Sequence, residues 1–167
     1  MLEAVRQIVE AERGGRDGSM PWTSRFLDQA DRQSGGRWRR MELTSDEASR
    51  IVLPPHEGEP CRGDRLRLVP PGGATVAKTA AALSAMREDY AHANRECWGR
   101  IAHAAATPFS TIVLTTSPLD LVGYDSITPA VDGLYHLDGF HRLVGWAWAG
   151  RLLPDVTIQA IVAETMG

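Results

Sequence analysis

The stretch LYHLDGFHRLVGWAWAG, residues 134–150, decides how the chain folds. It begins with an apolar run that is typical of a strand and continues into an apolar, tryptophan-rich segment that is typical of a helix. Asp138, Gly139, His141 and Arg142 lie at the junction between the two. A helix N-terminus offers unpaired N–H groups and a partial positive charge, and glycine lets a ligand approach the backbone closely. The junction therefore predicts an anion-binding site.

The polar side chains at this junction suit phosphate chemistry. His141 and Arg142 lie in the first predicted turn, where both can donate hydrogen bonds to phosphate oxygens. Asp138 ends the strand, where a carboxylate can hold a metal ion or orient a hydroxyl group. A purely structural interpretation is also open, in which Asp138 caps the helix, Arg142 pairs with Asp138, and His141 is a partly buried histidine.

The patterns on either side of the junction predict an α/β fold. Helical patterns cover residues 2–13, 21–33 and 75–105, and Asn94 marks a break in the longest of them. Strand patterns cover residues 37–43, 65–69, 109–116, 134–138 and 157–164. Helices and strands that alternate in this way indicate a small α/β domain with a mixed sheet.

Two further features concern the N-terminal half. We expect residues 1–50 to be a helical N-terminal extension and residues 51–167 to be the α/β domain. The segment TSDEASRIVL, residues 44–53, predicts a helix that begins at an N-cap formed by Thr44 or Ser45. Acidic residues in the first turn support that helix start.

Composition and charge narrow the class of protein. The chain has 167 residues and a net charge of −3, and 43% of it is hydrophobic. Proteins that bind nucleic acid regardless of sequence are normally basic, so we expect no nucleic-acid partner. No apolar run has the length of a membrane span, and the N-terminus lacks the apolar core of a signal peptide, so we expect a cytoplasmic protein without a membrane partner.

The two cysteines predict no thiol chemistry. Cys61 and Cys97 lie far apart and form neither a CxxC pair nor a zinc-binding spacing. The sequence around each one shows no activating residue, so we expect two reduced thiols and no thiol nucleophile.

The junction also resembles a known signature. YHLDGFHRLVGWAWAGRL, residues 135–152, is similar to the strand–DGxHR–helix motif of the ParB/sulfiredoxin superfamily. FSTIVLTT and TIQAIVAE resemble the strands that precede and follow that motif, so the resemblance covers about residues 75–164. It implies a compact ParB/sulfiredoxin-like α/β domain.

Within that superfamily the chain resembles the free-serine kinase branch most. The sulfiredoxin branch has a cysteine where this chain has Phe140, and the partition branch has Glu-Arg-Arg and a following helix-turn-helix domain, which the sequence does not show. The kinase branch has DGHHR and an upstream Pro-His-Glu. This chain has DGFHR at residues 138–142 and PHE at residues 55–57.

This resemblance implies a nucleotide-dependent phosphotransferase. Glu57 is then the catalytic base, because a kinase must deprotonate the accepting hydroxyl. Asp138 is the metal ligand or hydroxyl partner, and Gly139, His141 and Arg142 form the phosphate cradle, with His141 also a catalytic candidate. The implied cofactors are Mg²⁺ and ATP or ADP, and the acceptor is a small metabolite in a biosynthetic pathway, an amino acid among the candidates. A homodimer is left open.

Two alternatives to catalysis by phosphoryl transfer stay open. The same fold can serve as a nucleotide- or metabolite-binding module without catalysis. His136, Asp138 and His141 form the pattern HxDxxH, which a metal-dependent hydrolase could use as its ligand set.

Overall fold

The computed structural model describes residues 1–13, 20–55 and 66–165. Within these ranges the chain forms six helices and six strands. The helices are α1 (Leu2–Arg13), α2 (Met20–Ser34), α3 (Ser45–Arg50), α4 (Val76–Ala93), α5 (Arg95–Ala106) and α6 (Phe140–Trp148). The strands are β1 (Trp38–Thr44), β2 (Val52–Leu53), β3 (Ala74–Thr75), β4 (Ile112–Thr115), β5 (Tyr135–Asp138) and β6 (Thr157–Ala163). The predicted α/β fold is confirmed.

One mixed sheet contains all six strands, in the order β1-β6-β4-β5-β2-β3. Strand β4 runs parallel to β6 and antiparallel to β5, and β2 runs parallel to β5. Strand β4 therefore begins at the same end of the sheet at which β5 and β2 finish. We call this the junction end, because the strand-to-helix junction after Asp138 lies there.

Helices cover both faces of the sheet. Ile112 and Leu114 of β4 pack with the core of the layer formed by α3, α4, α5 and α6. Val113 packs on the opposite face with Val9 of α1 and Leu27 of α2. Side chains alternate between faces along a strand, so a strand that lies between two helical layers is apolar at every position. This explains why the predicted run around β4 is continuous rather than alternating.

The N-terminal extension contributes more than helices. Helices α1 and α2 form as predicted, and β1 pairs along its whole length with β6, from Trp38 opposite Ala163 to Thr44 opposite Thr157. The sheet therefore contains strands from both sides of the boundary that we predicted at residue 50. None of the described helices combines the length and apolar character that crossing a bilayer requires.

Two local predictions have opposite outcomes. The break at Asn94 is confirmed, because α4 ends before Asn94 and α5 begins after it, and its side-chain amide donates to the Leu66 carbonyl at 2.8 Å. The strand over 65–69 is wrong for its described part, residues 66–69, which contains no strand. Strand β3 occupies the position next to β2 instead.

Helix α3 begins with a complete capping box. The Glu47 N–H donates to Thr44 Oγ1 at 3.3 Å, and the Thr44 N–H donates to Glu47 Oε2 at 2.8 Å. The hydrogen bonds from the Thr44 backbone and side chain hold the pKa of the Glu47 carboxyl below its ordinary value. Of the two predicted N-caps, Thr44 is therefore the one that forms.

We expect Glu47→Gln to lower the free energy of unfolding by about 0.5 kcal/mol at neutral pH, because glutamine can keep the capping hydrogen bond but lacks the carboxylate charge at the helix N-terminus. A carboxyl with a lowered pKa stabilises the fold above its unfolded pKa and loses that contribution as pH falls through its folded pKa. The deficit should therefore shrink in strong acid. Urea unfolding at neutral pH and in strong acid measures the difference in stability between the wild type and the variant, with Glu10→Gln at an exposed position as control. A difference that stays the same in acid would contradict the prediction.

Candidate functional site

The last strand residue before the junction is a buried carboxylate. Tyr135 and Leu137 of β5 face the layer of α1 and α2, so His136 and Asp138 face the layer of α4, α5 and α6. Asp138 is only 2% exposed. A buried carboxylate is costly unless a positive charge and hydrogen bonds compensate it.

Arg142 supplies that compensation. Its Nη2 donates to Asp138 Oδ2 at 2.7 Å, four residues earlier in the chain. Its Nη1 donates to Ser110 Oγ at 2.6 Å, to the Thr111 carbonyl at 2.9 Å and to Glu12 Oε2 at 3.2 Å. The guanidinium thus connects α6 to β5, to the segment just before β4 and to α1. The pairing of Asp138 with Arg142, which the sequence left open, is present.

Gly139 makes the sharp change from strand to helix possible. It is the N-cap of α6, with φ of 108°, a conformation that residues with a side chain rarely adopt. A Cβ at this position would lie 2.8 Å from Ile112 Cγ2. Gly139 has no side chain with which to cap the helix, so the first-turn N–H groups of α6 face the junction end without a cap from the N-cap residue.

Glu12 was not predicted as part of this site. It lies 130 residues from Arg142 in the chain, and nothing in its local sequence marks it. Its carboxylate makes the longest of the four contacts to Arg142, with side-chain exposures of 27% for Glu12 and 17% for Arg142. The solvent side of the guanidinium therefore already holds an anionic group.

The His141 ring contacts a different set of residues from Arg142. Its Nε2 lies 3.3 Å from Cys97 Sγ, and the Tyr90 hydroxyl donates to the same sulfur at 3.1 Å. Consecutive residues on a helix project about 100° apart, which accounts for the separation of the two side chains. No residue near Cys97 in the sequence indicates this contact, because α5 and α6 bring Cys97 and His141 together across 44 positions. The expectation of no thiol nucleophile stays a prediction.

The other candidate histidine, His136, belongs to the core. The Tyr124 hydroxyl donates to the His136 carbonyl, and burial raises the pKa of Tyr124 above its usual range, so it stays a donor. The His136 ring stands edge-on to Phe140 at 6.1 Å. Across the described part of the chain, no group of three or more His, Cys, Asp and Glu is placed to hold a metal ion. His136, Asp138 and His141 therefore do not form the ligand set of the hydrolase alternative.

Glu57, the predicted base, lies outside the described residues. Before it, β2 runs parallel to β5 and finishes at Leu53, at the junction end. A cavity of about 320 Å³ lies elsewhere, between α3, α4 and the C-terminal end of α6, where Ser84 and Trp148 line it. It is therefore separate from the junction.

The fold and the site define an α/β protein with a buried Asp–Arg pair at a strand-to-helix junction. The chain belongs to a family of unknown function, DUF6309, whose family model matches residues 10–167. No curated protein and no solved structure matches the chain significantly.

Proposed function

We propose that this chain is a cytoplasmic, nucleotide-dependent phosphotransferase that transfers a phosphoryl group to a hydroxyl of a small metabolite. The observation that carries the proposal is the Glu12 carboxylate on the solvent side of Arg142, at the first turn of α6. A guanidinium at a helix N-terminus favours anionic oxygens. In our proposal a phosphate oxygen takes the place of that carboxylate.

The exchange of carboxylate for phosphate is energetically reasonable. A partly exposed ion pair contributes about 0 to 1 kcal/mol, so breaking the contact between Glu12 and Arg142 costs little. Asp138, Ser110 and the Thr111 carbonyl meanwhile hold the guanidinium in place. Asp138 thus acts first as a positioning residue for Arg142.

We propose that Mg²⁺ enters this site as a companion of the nucleotide. Magnesium bound to ATP or ADP takes most of its ligands from phosphates and water and needs one or two protein carboxylates. We propose Asp138 as that carboxylate, sharing its oxygens with Arg142. The ion neutralises charge on the phosphoryl group when it is bound.

Glu57 is the proposed base for the accepting hydroxyl. It follows Leu53 by four residues, and Leu53 ends β2 at the junction end. The family resemblance of PHE at residues 55–57 supports the same assignment. His141 is the proposed second phosphate donor, through its first-turn position and the Nδ1 of its ring, since Nε2 contacts Cys97.

If a phosphate oxygen displaces the Glu12 carboxylate, removal of that carboxylate should raise the affinity for phosphate ligands. Glu12→Gln should tighten binding of the preferred phosphate ligand about threefold to fivefold, because the variant has no competing carboxylate. Thermal-shift titrations with ATP, ADP, CTP and pyrophosphate, with and without Mg²⁺, measure this. Glu10→Gln on the same helix is the matched control, and His141→Gln tests the second donor. No shift with any ligand in either protein would rule out the proposed function.

If Glu57 is the catalytic base, its replacement should reduce turnover without weakening nucleotide binding. Glu57→Gln should reduce kcat about a hundredfold and leave the nucleotide Kd unchanged, because the base acts only on the acceptor. Glu59→Gln, two residues away, is the control. Nucleotide-product release with a panel of hydroxyl-bearing amino acids and related metabolites is the assay. Binding without turnover for any acceptor would favour the non-catalytic binding module instead.

A further inference from the structure

We propose that Cys97 is a peroxide-reactive thiol and that His141 accepts its proton. The Sγ atom lies between two groups from neighbouring helices, His141 Nε2 of α6 at 3.3 Å and the Tyr90 hydroxyl of α4 at 3.1 Å. An imidazole at this distance can take the thiol proton, and a hydroxyl that donates to sulfur stabilises the thiolate. Three helices thus assemble a nucleophile, a base and a hydrogen-bond donor.

Burial limits the electrophile to a small, neutral molecule. Cys97 is 1% exposed and Tyr90 is 0% exposed. His141 is only partly buried, so the imidazole connects the sulfur to the outside of α6. A bulky aromatic disulfide cannot approach the sulfur while α5 and α6 stay packed, whereas hydrogen peroxide is hardly larger than water. The substrate class is therefore hydrogen peroxide or a similarly small hydroperoxide.

Oxidation of the Cys97 thiol by peroxide needs no further reactant. The Cys97 thiolate attacks one peroxide oxygen, an S–O bond forms and the O–O bond breaks. The leaving hydroxide takes the proton that His141 received from the thiol and becomes water. The cysteine is oxidised to a sulfenic acid and the peroxide is reduced. Peroxide oxidation of Cys97 needs no nucleotide, and the oxidised sulfur is detected by its mass.

The test uses the Cys61→Ser protein, in which Cys97 is the one remaining cysteine. Hydrogen peroxide is added for timed intervals and then removed with catalase. The protein is next unfolded in urea with dimedone, which traps sulfenic acids, and intact mass follows the adduct. We expect faster labelling in the folded protein than in the urea-unfolded chain, although burial alone would make it slower. His141→Gln should slow labelling at least about tenfold, while His103→Gln, an exposed histidine of α5, should not.

Two results would overturn the proposal. One is labelling of folded Cys97 that is slower than that of the unfolded chain, a comparison that needs no histidine variant to fold. The other is equal labelling of the His141→Gln and His103→Gln proteins, with circular dichroism showing both folded. A bulky reagent such as dithiobis(nitrobenzoate) should react with Cys97 only in urea, and rapid reaction in the folded state would contradict the size selection.

Discussion

Replacing Arg142 by methionine is expected to lower the free energy of unfolding by about 3 to 5 kcal/mol. The substitution leaves the Asp138 carboxylate, which is 2% exposed, without the guanidinium 2.7 Å away. It also removes the donors to Ser110 and to the Thr111 carbonyl. Urea or thermal unfolding of the purified variant measures the loss.

A double-mutant cycle separates the charge from the packing. Asp138→Asn combined with Arg142→Met should cost clearly less than the sum of the two single changes, because no charge is then buried alone. Arg151→Met is the matched control. Arg151 also donates to two backbone carbonyls, of Ala105 and Thr107, and stacks on Phe109, but no buried carboxylate among the described residues pairs with it. Strict additivity, or an equal loss in Arg151→Met, would contradict this account of the pair.

This structural role limits what Arg142 can show about function. A variant that loses several kcal/mol of stability loses ligand binding for reasons unrelated to ligand contact. Glu12 is the better probe, because it contacts the same guanidinium from the solvent side and its removal should increase binding. A gain of affinity is a result that general destabilisation cannot produce.

The sequence predicted the parts of the fold that depend on local signals. The continuous apolar run around β4, the break at Asn94 and the threonine cap of α3 each have a local physical cause, so each was visible without the structure. Strands β2 and β3 have two residues each, which is too short for a periodic pattern, and neither was predicted. The 65–69 prediction failed because apolar burial at Leu68 and Val69 does not require a strand.

The site was predictable at the junction and not beyond it. Asp138, Gly139 and Arg142 are close in sequence, and their geometry follows from a strand that turns directly into a helix. Glu12 and Cys97 reach the junction residues across 130 and 44 positions, and only tertiary packing brings them there. The sequence could state that Asp138 pairs with Arg142 or that both bind a ligand. It could not show that the pair forms while one side of the guanidinium still faces solvent.

Gly145→Ala is expected to destabilise the protein by about 3 kcal/mol, although alanine normally favours a helix. Helices α5 and α6 pack closely at this glycine, which is buried. An added Cβ would lie 2.6 Å from the Ile101 carbonyl oxygen and 2.9 Å from the Ala105 nitrogen. Both are backbone atoms of α5, so the contact can be relieved only by moving one helix away from the other.

Gly99→Ala provides the opposite result in the same pair of helices. Gly99 lies within α5, is exposed, and has open space where its Cβ would be. The substitution should therefore stabilise the protein by about 0.5 to 1 kcal/mol. Urea unfolding of both variants gives the comparison. A neutral Gly145→Ala would mean that α5 and α6 are not held at this distance. The contact of Cys97 with His141 spans the same two helices, so the peroxide reactivity should fall with the packing in Gly145→Ala and persist in Gly99→Ala.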